Sequence, residues 1–533
     1  MGFYLNPSAR NFENDVASDI YIDKTLLLKE LNHCLDKNSE KYLCISRPRR
    51  FGKTQAGNMI AAYYSLKANS RKLFDSLAIS KGKTEKERKS YLANLNKYNV
   101  IKIDLNGFYR TVENLENIIN ELKKVIIEEF KAEYKSIDYT NCSSINQCIL
   151  KTYANNGSTF VIIIDEYDVL IREKVDHKIL DQYINLLNAL FKDSTISEAI
   201  SLAYLTGILP ILRDKVESKL NNFTPSTMME PFNLEKFFGF TTEEVKQICI
   251  DHDIDFDECK RWYDGYHLNQ TDIYNPSAIV KTASLKKFAS HWSTTGTYES
   301  IAEYIKLNFD GTKDNVIKML GGEKIDVEVL SFQNKLTEIN NRHDVFTYLI
   351  HIGYLAYDSE NRSCYIPNYE VSLEWENAIR NQKDYSVTNK IIEDSKNLIE
   401  QVFELNSGAV AKSLDTSHIH VTSNRSYNNE AALGSAIYLS FIYALNEYIC
   451  IKEATTGKGF ADVIYVPVNS RKPAMIIELK RNQTCGIALA QIKSKEYFAC
   501  LKDYSGEILF IGINYDDETK KHSASIEKFV KER

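Results

Sequence analysis

The hydrophobic pattern of this chain changes period several times, and each change marks an element. Residues 41–45, KYLCI, form a short apolar run that ends in a basic, proline-kinked loop, SRPRRFGKT at 46–54, and the stretch that follows, QAGNMIAAYYSLKA, has helical spacing with no breaker after Gly57. The pattern predicts a strand, a loop and a helix. A second strand is predicted at 100–105 (VIKIDL), an amphipathic run over 113–134, and a third strand in 160–168 (FVIIIDEYD). Five consecutive apolar, mostly β-branched residues in that third strand point to burial on both faces, as in a parallel sheet flanked by helices. ISLAYLT at 200–206 predicts a fourth strand, and the alternation as a whole predicts an α/β fold.

From about Pro231 the pattern turns to helix-forming segments rich in acids and lysines. FGFTTEEVKQICI carries a capping-box pair, Thr241 and Glu244; IYNPSAIV places Pro276 in a first helical turn; and 344–358 (DVFTYLIHIGYLAYD) repeats apolar residues at helical spacing. WYDGYHL at 262–268 clusters aromatics around Asp264-Gly265, which reads as a packed turn in preference to a nucleotide-stacking site. The apolar run at 431–445 is too short for a membrane span and reads as a buried helix. The register then changes: 458–468 (KGFADVIYVPV) predicts a strand, 469–473 a turn and 474–480 (AMIIELK) its hairpin partner, followed by a helix in LAQIKSKEYF and a last buried strand in ILFIGINYD. The expected organisation is a P-loop-type parallel sheet over 1–230, a helical lid and connector over 231–385, and a smaller restriction-endonuclease-like α/β domain over 386–533.

Two groups of residues carry chemistry. The loop ending in Gly52-Lys53-Thr54 would deliver backbone amides, an ammonium and a hydroxyl to one point, which suits the phosphates of a nucleotide and its Mg²⁺. The pattern GxxxxGK[ST] has Arg47 where a glycine is usual, so the loop is expected to close differently around phosphate. Where the third predicted strand ends, Asp165 is placed to hold Mg²⁺ and Glu166 to polarise an attacking water, with Asp168 as a third, structural acid. Thr206, at the end of the fourth strand, is placed to sense the γ-phosphate. In the hairpin, period-two geometry puts Ile476, Glu478 and Lys480 on one strand face and Met475, Ile477 and Leu479 on the other, with Asp462 opposite Glu478. Two facing carboxylates make a hard-oxygen site for Mg²⁺, and a lysine beside them can orient a water for attack on phosphorus.

Composition narrows the setting. The chain has 533 residues, 44% hydrophobic and 26% charged, with a formal net charge of −6. That length implies several cores, and that charge gives no global basic footprint, so nucleic-acid contact would come from local clusters: Arg47, Arg49 and Arg50 near the loop, Lys480 and Arg481 late in the chain. Ten cysteines without a CxxC pair indicate neither a zinc site nor a disulfide framework, and fit reduced thiols. His418 and His420 form an HxH that reads as surface histidines, with metal ligation as the other reading. The opening MGFYLN lacks a secretory pattern and has Asn6 where myristoylation wants Ser or Thr; a cytoplasmic chain is expected.

YIDKT at 21–25, SRPRRFGKT at 46–54, IDEYD at 164–168, LTG at 205–207 and WYDGY at 262–266 resemble, in this order, the AAA-ATPase-like proteins that carry a C-terminal PD-(D/E)XK nuclease. In that family an arginine also precedes the loop proline. The resemblance implies ATP bound through Arg49, Arg50, Phe51, Gly52, Lys53, Thr54, Asp165 and Thr206, with Glu166 catalytic and Thr54 and Asp165 at Mg²⁺. The chain departs from the pattern after Thr206-Gly207, running ILPILRDK, which leaves the sensor open and Arg213 as the candidate arginine finger. The helix, hairpin, helix, strand order of the last domain resembles the PD-(D/E)XK core, matching Glu430, Asp462, Glu478, Lys480 and Gln491 as catalytic residues, with Asp462 and Glu478 at the metal. Glu453 is an alternative first acid. The implied protein is an ATP-binding, Mg²⁺-dependent nuclease acting on nucleic acid, DNA before RNA, as a possible homo-oligomer, with defence or mobile-element biology as an analogy. The alternative is a nucleotide-dependent switch or scaffold whose nuclease-like domain binds nucleic acid without cutting it.

Overall fold

A computed structural model describes residues 2–529 except 212–219, 293–308, 321, 330–331, 333–338, 340, 381–385, 422–432, 435–436, 439, 442, 445–447, 457–458, 468–471, 498–500, 502–503 and 505. The chain divides into two compact units, Met1–His291 with Asp326–Asn368, and Trp292–Ile325 with Tyr369–Arg533.

The first unit is organised by five parallel strands, β1 (Tyr42–Ser46), β2 (Asn99–Asp104), β3 (Phe160–Asp165), β4 (Ile200–Gly207) and β5 (Thr224–Ser226), in the order β2-β3-β4-β1-β5. Alternate residues of one apolar run feed two different cores, which is why β3 shows no polar face. Ile162 and Ile164 pack with α2 (Ile118–Glu133), α3 (Ile145–Asn156) and α4 (His177–Lys192), whereas Val161 and Ile163 pack with α1 (Lys53–Tyr64). The outer edge of β2 is covered by Leu5, which bridges antiparallel to Ile101 while the Glu129 carboxylate accepts the amides of Phe3, Tyr4 and Leu5 at 2.8, 2.9 and 2.7 Å.

The same unit contains α5 (Thr242–His252), whose Thr241–Glu244 capping box forms as its sequence dictates, and a small antiparallel sheet of β6 (Phe240–Thr241), β7 (Tyr266–Leu268) and β8 (Thr271–Tyr274). The YIDKT segment joins the two parts: Lys24 donates to the Lys236 carbonyl at 2.6 Å and pairs with Glu244 at 2.6 Å. The helical spacing of 344–358 continues only part of the way. A helix covers Arg342–Ile352, Gly353 ends it at φ 87°, and the remainder becomes β10 (Ala356–Asp358), paired antiparallel with β11 (Ser363–Tyr365); β9 (Ile325–Asp326) precedes them.

The second unit has one five-stranded sheet, β12 (Tyr448–Thr456), β13 (Gly459–Pro467), β14 (Ala474–Arg481), β15 (Ile508–Asp516) and β16 (Lys521–Phe529), ordered as in the sequence and parallel only between β14 and β15. Between those two strands lies α6 (Cys485–Ser494), the crossover that a parallel pair requires. The hairpin is present, but both of its faces are buried: Met475, Ile477 and Leu479 enter one core, and Ile476 enters another with Leu489, Ile492 and Tyr497. The apolar run at 431–445 is described in part, and its described residues Leu433, Ile437, Phe441 and Ala444 are buried in the same core as Met475, Ile477 and Leu479. Among the described residues, no helix is long and apolar enough to cross a membrane.

The Asp264-Gly265 signal is a packed turn with a steric reason. Gly265 has φ 108°, and a Cβ there would sit 1.8 Å from the Pro367 carbonyl oxygen. Tyr266 is buried beside it and donates to the Gly353 carbonyl at 2.6 Å. Gly265→Ala is expected to lower stability by roughly 1–3 kcal/mol in denaturant titration; an unchanged midpoint would show that the turn tolerates a side chain.

Candidate active sites

At the first site, β1 delivers the loop and Gly52, at φ 83°, starts α1 directly at Lys53. The Lys53 ammonium is buried and donates to the carbonyls of Arg47 at 2.9 Å and Pro48 at 2.8 Å. Burial pulls it down to about 8, and the carboxylates of Asp165, Glu166 and Asp168 act in the other direction. Lys53 and the strand-end acids therefore share one electrostatic neighbourhood. Thr54 is exposed in the first helical turn.

β4 lies between β1 and β3, so Thr206 stands between the loop and the acids. Its buried hydroxyl donates to Asp165, whose carboxylate also accepts the Glu166 amide at 3.1 Å. Glu166, at φ 51°, is ion-paired with Arg172 at 2.7 Å. Asp168 is fully buried: it accepts the amides of Ile208 and Leu209 at 3.0 and 2.8 Å and faces Arg172 at 3.1 Å. These bonds fix the loop after β4 against the loop after β3, as a structural acid would. Arg172 escaped the sequence reading; its only signal was its position four residues after Asp168 and six after Glu166 in a helical stretch.

Two other residues expected to contact nucleotide, Phe51 and Arg50, are engaged within the protein. The Phe51 ring packs edge-on against Tyr266 at 5.5 Å and its carbonyl accepts the Gly239 amide at 3.1 Å. Arg50, at φ 71°, donates to the His291 carbonyl at 2.6 Å, and Arg49 is half-buried. Lys102 of β2 was also missed. It donates to Asn58 of α1, and burial lowers its pKa while Asp165 and Asp104 raise it.

At the second site, the β13–β14 register pairs Val463 with Ile477, which sets Asp462 opposite Glu478. Glu478 is 2% exposed; its Oε1 accepts the Lys480 ammonium at 2.8 Å, and its Oε2 is buried with no hydrogen-bond partner by distance and angle among the described residues, although the Asp462 backbone amide helps to hold the carboxylate's pKa down. Burial pushes this carboxyl up to about 7, the negative charge of Asp462 adds to the rise, and Lys480 opposes it. Asp462 accepts the Leu479 amide at 2.7 Å. Gln491 donates to the Tyr497 hydroxyl at 2.9 Å, and Tyr497 senses the charges of Glu478 and Asp462 although burial is the main cause of its raised pKa. Tyr497 was not picked out from the sequence, where an aromatic six residues after Gln491 looks like ordinary core. Helix α6 comes this close because Gly512, beside Glu478 in β15, has no side chain; a Cβ there would meet the Cys485 carbonyl oxygen at 2.4 Å.

Glu430 and Arg213 lie outside the described residues, as do the side chains of Glu453, His418 and His420. Among the described residues no group of three or more His, Cys, Asp and Glu side chains forms a metal cage. The described pair, Asp462 and Glu478, nevertheless suits a hard divalent cation: an orphaned carboxylate oxygen in a buried setting is the donor such an ion takes.

Comparison with known proteins agrees with this geometry. Residues 10–217 match the family described as "Predicted AAA-ATPase", and residues 428–524 match the PD-(D/E)XK nuclease superfamily. An uncharacterised protein in the vnfD 5′ region of Azotobacter chroococcum mcd 1 is 26% identical over 285 residues, covering 52% of this chain and 51% of the relative. The chain thus spans about half the length of that curated relative.

A carboxyl held at about 7 in the folded chain against an ordinary 4.5 keeps its proton longer when folded, so stability falls as pH rises from about 4.5 to about 7 and stays lower above. In chelator, Glu478→Gln is expected to melt roughly 2–4 °C above the unmodified chain at pH 8. The difference should vanish near pH 4. Identical melting of the two proteins at pH 8 would contradict the burial penalty.

Proposed function

We propose that this chain, which carries an AAA-ATPase-like domain and a PD-(D/E)XK nuclease superfamily domain, is an ATP-binding and ATP-hydrolysing protein that cleaves the phosphodiester backbone of nucleic acid with Mg²⁺. The observation that carries the nuclease reading is the buried Glu478 carboxylate opposite Asp462, whose Oε2 has no hydrogen-bond partner among the described residues, with Lys480 at 2.8 Å from the other oxygen. Asp462 and Glu478 would hold Mg²⁺, which when bound polarises a phosphoryl oxygen and acidifies water. Lys480 fixes Glu478 through its ion pair and presents a cation to the negatively charged phosphate. Gln491, on α6, donates its amide to the Tyr497 hydroxyl, which senses the charges of Glu478 and Asp462, and Glu430 is the proposed further acid. A site built to meet backbone phosphate reads no base, so recognition would be largely independent of sequence, with DNA the preferred substrate.

At the nucleotide site, Lys53 would exchange the carbonyls of Arg47 and Pro48 for β- and γ-phosphate oxygens, with Thr54 and Asp165 at Mg²⁺, Glu166 orienting water and Thr206 relaying the state of the γ-phosphate to Asp165. Arg49, Arg50, Phe51 and Gly52 complete the loop around the nucleotide. A cytoplasmic protein, assembling with copies of itself and acting in defence or mobile-element biology, fits this pairing of domains. One observation favours a second reading, a slowly hydrolysing switch that binds nucleic acid: Glu166 is paired with Arg172 at 2.7 Å and must leave it before orienting a water.

The test is a cleavage panel of single- and double-stranded DNA and RNA with Mg²⁺, with and without ATP. The unmodified chain should cut; Glu478→Ala should lose at least about 100-fold in rate while still binding ATP, and Lys53→Ala should lose ATP binding. Undiminished cutting by Glu478→Ala would sink the nuclease assignment. Tight ATP binding with no cleavage of any polynucleotide would establish the switch.

A further inference from the structure

Arg47 occupies the loop position where a compact glycine is usual, and it is 0% exposed. A guanidinium taken out of water needs fixed partners. Those it has are neutral: Nη1 donates to the Ser46 carbonyl at 2.9 Å and the Ser226 carbonyl at 3.0 Å, and Nη2 donates to the Ser226 hydroxyl at 3.1 Å. Nε is buried with no acceptor among the described residues, and the Phe238 ring lies 5.4 Å from the guanidinium carbon. Ser226 belongs to β5, the neighbour of β1, and its hydroxyl passes a hydrogen bond on to the Pro231 carbonyl at 2.8 Å. The planar fork therefore bridges the end of β1 to β5 and the segment beyond. The Arg47 backbone is held as well, its amide donating to the Gly207 carbonyl at 3.1 Å. Its carbonyl is one of the two that receive Lys53.

From this arrangement we infer that Arg47 is a positioning residue of the nucleotide site: its fork sets the loop backbone at the height where Lys53 meets phosphate, replacing the tight closure that glycine gives. Its charge, met among the described residues only by neutral groups within hydrogen-bonding distance, makes the occupied loop favour a polyphosphate anion. The inference rests on the nucleotide-binding reading and extends it to a residue that never touches the ligand. Burial lowers the Arg47 pKa to about 10, with Tyr204 and the Glu235 carboxylate acting in the other direction. A lysine would keep the charge but not the bidentate geometry, and a glycine would remove the strut while leaving Ser226 and Phe238 without it.

The experiment measures ATP and inorganic tripolyphosphate affinity by calorimetry, together with melting temperature with and without each, for the full-length chain and its Arg47→Lys, Arg47→Gly, Ser226→Ala and Lys53→Ala variants. Arg47→Lys and Ser226→Ala should remain folded and lose about 3- to 10-fold in affinity for both ligands. Arg47→Gly, despite restoring the ordinary loop sequence, should lose more than either. A purely structural role would lower the ligand-free melting temperature of these variants and leave their affinities unchanged. Affinities within twofold of the unmodified chain for both Arg47→Lys and Ser226→Ala would overturn the inference, whether or not Arg47→Gly folds. If the unmodified chain binds neither ATP nor tripolyphosphate, the nucleotide reading itself falls; if it binds both and only Lys53→Ala loses them, the Arg47 inference alone falls.

Discussion

Charge held away from water needs a fixed partner, and the nucleotide-site edge is arranged around that requirement. Asp168 is the clearest case. Its carboxylate is fully buried, receives two backbone amides from the start of the loop after β4, and shares Arg172 with Glu166. Removing Arg172 would leave the Asp168 and Glu166 carboxylates without their shared cation, a loss of about 3–5 kcal/mol for a buried pair. The loops after β3 and β4 are held in register by this cluster, and Asp165 and Thr206 are held with them. A Cβ on Gly207 would meet Asp168 Oδ1 at 2.7 Å, so the LTG ending of β4 belongs to the same arrangement.

Lys53 and Glu478 show the same requirement left partly unmet. Lys53 is a buried ammonium whose nearest hydrogen-bond acceptors are two neutral carbonyls, and Glu478 is a buried carboxylate with one oxygen lacking a hydrogen-bond donor among the described residues. Both pKa values move toward neutrality, one down to about 8 and the other up to about 7. In a stable framework, such groups mark places where a ligand of opposite charge improves the fit. Their surroundings differ in a telling way: the acids around Lys53 are anchored by Arg172 and by backbone amides, whereas Glu478 leans on Lys480.

The elements were legible because their causes are local. The apolar run of β3, the capping box of α5 and the hairpin around Asp462 and Glu478 follow from period, cap chemistry and turn residues, and they appear where those signals stand. The helix expected to continue through 344–358 failed at Gly353, where a left-handed C′ residue outweighed the apolar spacing. Arg172, Lys102 and Tyr497 were not legible as site neighbours, and Arg47, visible as the residue in place of the loop glycine, was not legible as a buried strut, since each acquires its meaning from residues far along the chain: Arg47 from Ser226 and Phe238, and Tyr497 from the charges of Glu478 and Asp462.

The amino-acid sequence by itself determined the α/β alternation, the strand that ends in Gly52-Lys53-Thr54, the acids at the end of β3 and the facing carboxylates of the hairpin, because a strand's period and a glycine's or acid's place within it are properties of a few consecutive residues. Only the tertiary structure decided that β4 would lie between β1 and β3, putting Thr206 against Asp165, and that the arginine in the phosphate loop would point into the core instead of toward solvent. Strand order is set by how helices of given length cover two faces of one sheet, and the fate of a buried guanidinium by whether distant carbonyls and hydroxyls converge on it. Neither quantity is written in the spacing of neighbouring residues.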